Sequence, residues 1–209
     1  MDITSMNTAA FKEYGLSSQI EQNWRLDPLI SQKIAALVTY TGSIEYYLER
    51  AIWKLKGIEP QGIKPETDAK PISQIIKNLS KFSESLEVIK ERNFIQHWCE
   101  AVASGFVIRN NIVHGVATVL GDTLSYSRNP RWHGEERKRE FGDFWADLST
   151  LEMVCESFAV LLRIIVKIER GEEAIGDIAS PLALKALQQS RSILGEFSSQ
   201  HYNPSFEKY

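Results

Sequence analysis

Apolar residues recur every three to four positions over most of this chain, the spacing that gathers them on one face of an α-helix. After Asp27-Pro28, which reads as an N-cap with proline in the first turn, Ile34, Leu37, Ile44, Leu48, Ala51, Ile52 and Leu55 keep that period up to Gly57. One long helix is predicted, or two joined near Gly42. Phe11, Leu16, Ile20 and Trp24 predict a short packed helix before it. Pro60, Gly62 and Pro65 mark a loop; Pro71 then opens a helix with Ile72, Ile75, Ile76, Leu79 and Phe82, and Ser83 to Ser85 break it. A second long helix is predicted from Leu86 to His114, with Gly115 after its C-cap, where a left-handed backbone favours glycine.

Beyond Gly115 the period shortens. Val116 to Leu120 and Leu124 to Tyr126 flank Gly121-Asp122-Thr123 and predict a β-hairpin, followed by a polar loop from Arg128 to Glu140. Ser149-x-x-Glu152 has the form of a capping box for a helix carrying Leu151, Val154, Cys155, Phe158, Leu162 and Ile165 and ending by Gly171. Ser180-Pro181 starts a last helix through Leu194. The fold class is therefore mainly all-α: an antiparallel bundle of about five to six helices with a short β-hairpin insertion. Residues 1–26 form an N-terminal extension, 27–170 the helical domain, and 171–209 a helix and tail packed on the same domain.

One residue breaks the apolar pattern. With about 100° per residue and Ile95 at zero, Cys99, Val102, Phe106 and Val113 fall within about 40°, the expected core stripe. Arg109 falls at about −40°, inside it, with Asn110 at about +60°, His114 at about +100° and Asn111 at about 160°. A guanidinium there needs a carboxylate, a partner chain or an anionic ligand, because burying it unpaired costs several kcal/mol. Asn110 and His114 are one turn apart, so the amide is placed to orient the imidazole. Arg109 and His114 diverge by about 140°, so one helix does not aim both at one atom; a second copy across a two-fold axis would bring an Arg and a His from each chain into one cleft. The plainer alternative pairs Arg109 with a glutamate such as Glu45, and leaves His114 to favour the helix dipole.

Composition limits the classes. The net charge of −3 over 209 residues argues against a surface coated in positive charge for gripping nucleic acid, without excluding a local basic site. The N-terminus carries no apolar run of a secretory type, and the most apolar stretch, Phe158 to Ile168, is too short to span a bilayer and contains Arg163 and Lys167. A cytoplasmic location without membrane contact is expected. Cys99 and Cys155 fall on apolar helical stripes and are expected to be reduced core thiols. No phosphate-binding glycine loop, dinucleotide fingerprint, HExxH or nucleophile elbow occurs, His97-x-Cys99 points its side chains apart, and neither cofactor nor metal is expected.

Arg109-Asn110-Asn111-Ile112-Val113-His114-Gly115 resembles the signature of the HEPN superfamily, in which an Arg, usually followed by a polar residue, precedes a His by a few positions. The resemblance extends to the order of elements: a long helix with an Ile-Glu-x-x-Leu run (Ile44-Glu45-x-x-Leu48), the signature helix, a short insertion and another apolar helix, over roughly Asp27 to Arg170. It implies a helical bundle that dimerises with its motif at the interface. In many members it implies a metal-independent endoribonuclease of toxin or antiviral systems, with a cognate antitoxin or regulatory protein as a partner; other members bind nucleotide, RNA or protein without catalysis.

In the catalytic case His114, of a residue type with a reference pKa near 6.5, would act as base or acid on RNA. Arg109 would clamp the phosphoryl oxygens, and Asn110 would orient His114 or touch the phosphate. For substrate grip the sequence offers Arg128, Arg131, Trp132, His133, Arg137, Lys138 and Arg139, cations with an aromatic for base stacking. Glu135, Glu136 and Glu140 dilute that run, and a plain solvated loop is the competing reading. A third reading is a helical adaptor with an accidental motif, in which Arg109 pairs within its own chain.

Overall fold

A computed structural model describes residues 8–59, 61–62, 66–131, 134–138 and 140–199, with side chains from Lys12 onward. The expectations for Pro60, Pro65, Trp132, His133 and Arg139 fall outside these residues, and the one for Phe11 outside the described side chains. The elements are α1 (Thr8–Gly15), α2 (Ser17–Asn23), α3 (Pro28–Leu55), α4 (Ile72–Ser83), α5 (Ile89–His114), β1 (Val116–Leu120), β2 (Thr123–Arg128), β3 (Gly142–Trp145), α6 (Leu148–Arg170), α7 (Ile175–Ile178) and α8 (Pro181–Phe197). The fold is mainly helical with a small antiparallel sheet, as the periodicity predicts.

Long helix α3 starts as expected: the Asp27 carboxylate accepts from the Leu29 and Ile30 amides at 2.9 Å, satisfying donors that the first turn leaves free. It runs unbroken through Gly42 and ends before Gly57, whose φ of 62° lies in the left-handed region. Its buried residues, from Ile30 through Leu37, Ile44 and Leu48 to Ile52, pack along α6. Cys99 and Cys155 are buried free thiols; burial, with Glu100 adding to it, pushes Cys99 up to about 12, and burial also raises Cys155. Neither thiol has nucleophile character.

The single-stripe reading of α5 is corrected. Besides Ile95, Cys99, Val102 and Phe106, the helix buries Phe94, Trp98, Ala101, Gly105, Ile108 and Ile112, which lie about −60° to −140° from Ile95. The reason is its company: α4, α8, β2 and β3 all pack against it, so the apolar arc is about twice as wide as one contact needs. At the last turn the sheet packs on the Asn111 side, where the Asn111 amide bonds the Asp143 carbonyl of β3. Val113, expected in the core, is therefore 43% exposed.

Three boundaries also differ. Residues 17–23 do not pack: α1 and α2 are separated by Leu16 in a left-handed conformation, and Leu16, Ile20 and Trp24 are exposed. Too short to bury a face, the pair is tied to the hairpin turn through an exposed ion pair, Arg25 to Asp122 at 3.2 Å. The polar loop begins later than expected, because Arg128 belongs to β2 and pairs with Gly142 of an unforeseen third strand; the sheet order is β1-β2-β3. The hairpin turn itself is Gly121-Asp122, with Leu120 opposite Thr123 and Gly121 at φ 62°.

Helix α6 is capped two residues before the expected capping box. Asp147 accepts from the Thr150 amide at 2.9 Å, and its carboxylate also takes the Ser149 and Thr150 hydroxyls; a charged acceptor satisfies a free first-turn amide better than the Ser149 hydroxyl. Burial opposes ionisation of Asp147, but these donors prevail and hold it below the ordinary aspartate value. A depressed pKa contributes stability that is present above the unfolded value and is lost as pH falls through the folded one. Asp147→Ala is therefore expected to cost about 1 kcal/mol at neutral pH, and the difference from the parent should shrink towards pH 3. Urea denaturation at both pH values checks this; an equal deficit at both would remove the carboxylate from the explanation.

Candidate functional site

The motif occupies the last two turns of α5, where the helix leaves its covering helices and feeds the sheet. Gly115 sits at the C-cap itself with φ −86° and ψ 163°, extended rather than left-handed, so its role differs from the one expected. What requires glycine is close approach: a Cβ there would lie 2.1 Å from the Asn111 carbonyl oxygen and 3.3 Å from the Tyr126 Cβ. Gly115→Ala is thus expected to force the chain apart between α5 and β1 and to cost about 1–3 kcal/mol. An unchanged urea midpoint would show that the junction relaxes freely.

Asn111, placed by the helical arithmetic far from the core stripe, is 1% exposed. Its Nδ2 donates to the Asp143 carbonyl at 2.7 Å, pinning β3 to the end of α5, while its Oδ1 lies 2.7 Å from where a Cβ on Gly142 would stand. It is a strut that sequence reading missed; only the sheet beyond it reveals the need for a buried amide. Burial raises the Asp143 carboxyl, partly opposed by a bond from Trp145, and burial also raises Tyr126.

Arg109, Asn110 and His114 part company. Arg109 is about three-quarters buried by side chain, and its Nη1 donates to Asn110 Oδ1 at 3.0 Å. Its Nη2 stands 4.0 Å from Glu45 Oε1, the glutamate of the Ile-Glu-x-x-Leu run on α3, whose own side chain is 41% exposed. Thus Arg109, not His114, fixes the Asn110 amide, the charged neighbour being the stronger donor. With Oδ1 engaged, the amide's available end is its Nδ2 donor.

His114 is exposed and opens with Asn110 on a cleft of about 580 Å³, lined also by Arg128, Asn129 and Glu140. The strand pairing explains the grouping: Arg128 ends β2 opposite Gly142, and Asn129 Nδ2 donates to the Glu140 carbonyl at 2.9 Å, closing the loop base beside the end of α5. Among the described grip residues, Arg128 is the one that lines this cleft. Arg131 and Lys138 are exposed, and Arg137 donates to Glu135 at 2.6 Å, an exposed pair that fits the solvated-loop reading. Asn129 and Glu140 were not foreseen as cleft residues, since their proximity to His114 depends on β3.

Among the described residues no group of three or more His, Cys, Asp or Glu side chains could hold a metal ion, and no helix is long and apolar enough to cross a membrane. Compared with known protein families, curated proteins and solved structures, the chain matches none.

Proposed function

We propose that this chain is a HEPN-like endoribonuclease that cleaves RNA without a metal ion. The observation that supports it best is the cleft itself: the motif's His114 and Asn110 open to solvent together with Arg128 instead of being packed away. In the reaction a base takes the proton of the 2′-hydroxyl, the 2′-oxygen bonds to phosphorus, and the bond to the 5′-oxygen breaks as an acid protonates it. A 2′,3′-cyclic phosphate and a 5′-hydroxyl end result. His114 holds or delivers one of those protons, Asn110 presents an amide donor to the phosphoryl oxygens, and Arg109 fixes that amide.

A symmetric dimer completes this reading, because a second His114 can divide the acid and base tasks. Val107, Val113 and Val116, exposed around the motif, supply apolar area for such a contact. Action as a toxin or antiviral effector, with an antitoxin or regulatory protein as its partner, belongs to the same proposal. The test is incubation of purified protein with RNA in EDTA, with His114→Ala protein as the blank, end-group analysis of the products, and light scattering for the oligomeric state. Cleavage that requires His114 and leaves cyclic phosphate ends supports the reading; no difference from the blank ends it.

One observation favours a second reading. Arg109 is engaged by Glu45 and Asn110 of its own chain, the pairing expected of a helical adaptor whose motif match is accidental. In that case RNA is neither cleaved nor bound through the cleft.

A further inference from the structure

We infer that the arginine receiving the anion in the His114 cleft is Arg128, and that each chain thereby carries its own oxyanion site for a phosphate group, made of Arg128, the Asn110 amide and His114. This rests on the proposed phosphate chemistry of that cleft and assigns its parts differently from the motif alone.

Three observations carry it. Arg109 does not line the cleft; its Nη1 and Nη2 are directed to Asn110 and Glu45. Arg128 does line the cleft, and among the described residues it has no ion-pair partner. Its Nε is buried without a hydrogen-bond acceptor among the described residues, as is the Nε of Arg109, so this atom alone does not separate the two arginines. Arg128 is carried into the cleft by the end of a paired strand, and a planar guanidinium suits phosphate oxygens better than a single-point cation does.

The remaining groups fit the same ligand. Asn110, one lone pair of its Oδ1 engaged by Arg109, keeps its Nδ2 donors to offer, and His114 supplies an imidazole at the same opening. Arg109 is then a positioning residue that acts through Asn110. Glu140 is the one carboxylate among the described residues of the cleft, and it sets a limit: a bare dianion meets its charge, whereas a phosphodiester, with one charge and a neighbouring 2′-oxygen, meets it less. Free phosphate and the backbone of a polynucleotide share the chemistry recognised by the three donors.

The test follows the His114 ring signals of the full chain by NMR during titration with inorganic phosphate and, separately, with a short single-stranded 2′-O-methyl oligonucleotide that cannot be cleaved. Both probes should shift His114. Arg128→Ala should weaken binding about tenfold or more, Arg128→Lys should recover part of it as a single-point cation, and Arg109→Ala should weaken it less than Arg128→Ala does. Tighter binding of the oligonucleotide assigns the site to a polynucleotide, and equal binding to free phosphate. Where Arg128→Ala melts below the assay temperature, Arg128→Gln, which keeps the stem, gives the same comparison. Parent-like binding by folded Arg128→Ala, or loss on Arg109→Ala with Arg128→Ala unaffected, overturns the inference. Cleavage lost in every form while binding still depends on Arg128 overturns the ribonuclease reading alone; His114-dependent cleavage with binding indifferent to Arg128 overturns this inference alone.

Discussion

Replacing His114 with alanine is expected to slow RNA cleavage by about 10²- to 10⁴-fold, the range that loss of a general acid or base ordinarily costs, equivalent to about 3–5 kcal/mol of transition-state stabilisation. The size follows from its neighbours: Asn110, Arg128 and Glu140 share the cleft, and only Glu140 among them could take over a proton, from a position set by a loop base instead of the helix end. Because His114 is exposed at the last turn of α5, its removal should leave the unfolding free energy from urea denaturation within about 0.5 kcal/mol of the parent. Binding of the 2′-O-methyl oligonucleotide should weaken only in part, since Arg128 and Asn110, two of the three anion donors, remain. The measurement is a single-turnover rate in EDTA on a labelled RNA, with stability followed in parallel. A variant that cleaves like the parent would assign the activity to a contaminant; a variant that fails to fold would show that His114 supports the end of the helix.

The contrast between α3 and α5 shows what a sequence can convey about such a site. In α3 one face is covered chiefly by one helix, α6, so the period of Leu37, Ile44, Leu48 and Ile52 reports burial directly, and the cap at Asp27 is written in the local residues. Helix α5 is covered by several helices, chiefly α8 and α4, and by two strands, so burial at Trp98, Ala101, Ile108 and Asn111 obeys no single stripe. The motif on it was legible, because Arg109, Asn110 and His114 are near neighbours in sequence. Their division of labour was not: it depends on Glu45, some sixty positions earlier by count of the chain, and on β3, whose four residues sit behind a polar loop with no hairpin signal of their own. Glu45 was foreseen as a partner for Arg109 only as the plainer alternative, and the 4.0 Å approach realises that geometry while leaving Asn110 to face the cleft. Arg128 was visible as one cation in a mixed run; what separates it from Arg137 is a strand register that pairs it with Gly142.

The second large effect is expected at Trp98, far from the cleft. This side chain is fully buried on α5, and its indole Nε1 donates to the Leu161 carbonyl of α6 at 2.9 Å, so one residue fills volume between the two helices and satisfies its own polar atom there. Trp98→Ala should cost about 3–5 kcal/mol, a large fraction of the 5–15 kcal/mol that holds an ordinary domain together. Trp98→Phe keeps most of the ring volume and loses the hydrogen bond, so its cost should be closer to about 1–2 kcal/mol, and the difference between the two variants separates packing from hydrogen bonding. Trp98 and His114 are sixteen positions apart on the helix, about 24 Å along the axis, so the folded fraction of either variant should cleave RNA at a rate within about twofold of the parent at low temperature. Urea midpoints and rates per folded molecule test both parts. An unchanged midpoint for Trp98→Ala would mean that α5 and α6 close over the gap. A rate that falls with stability intact would mean instead that the register of α5 along its whole length sets the position of His114, which the strut from Asn111 to β3 is expected to prevent by fixing the end of the helix locally.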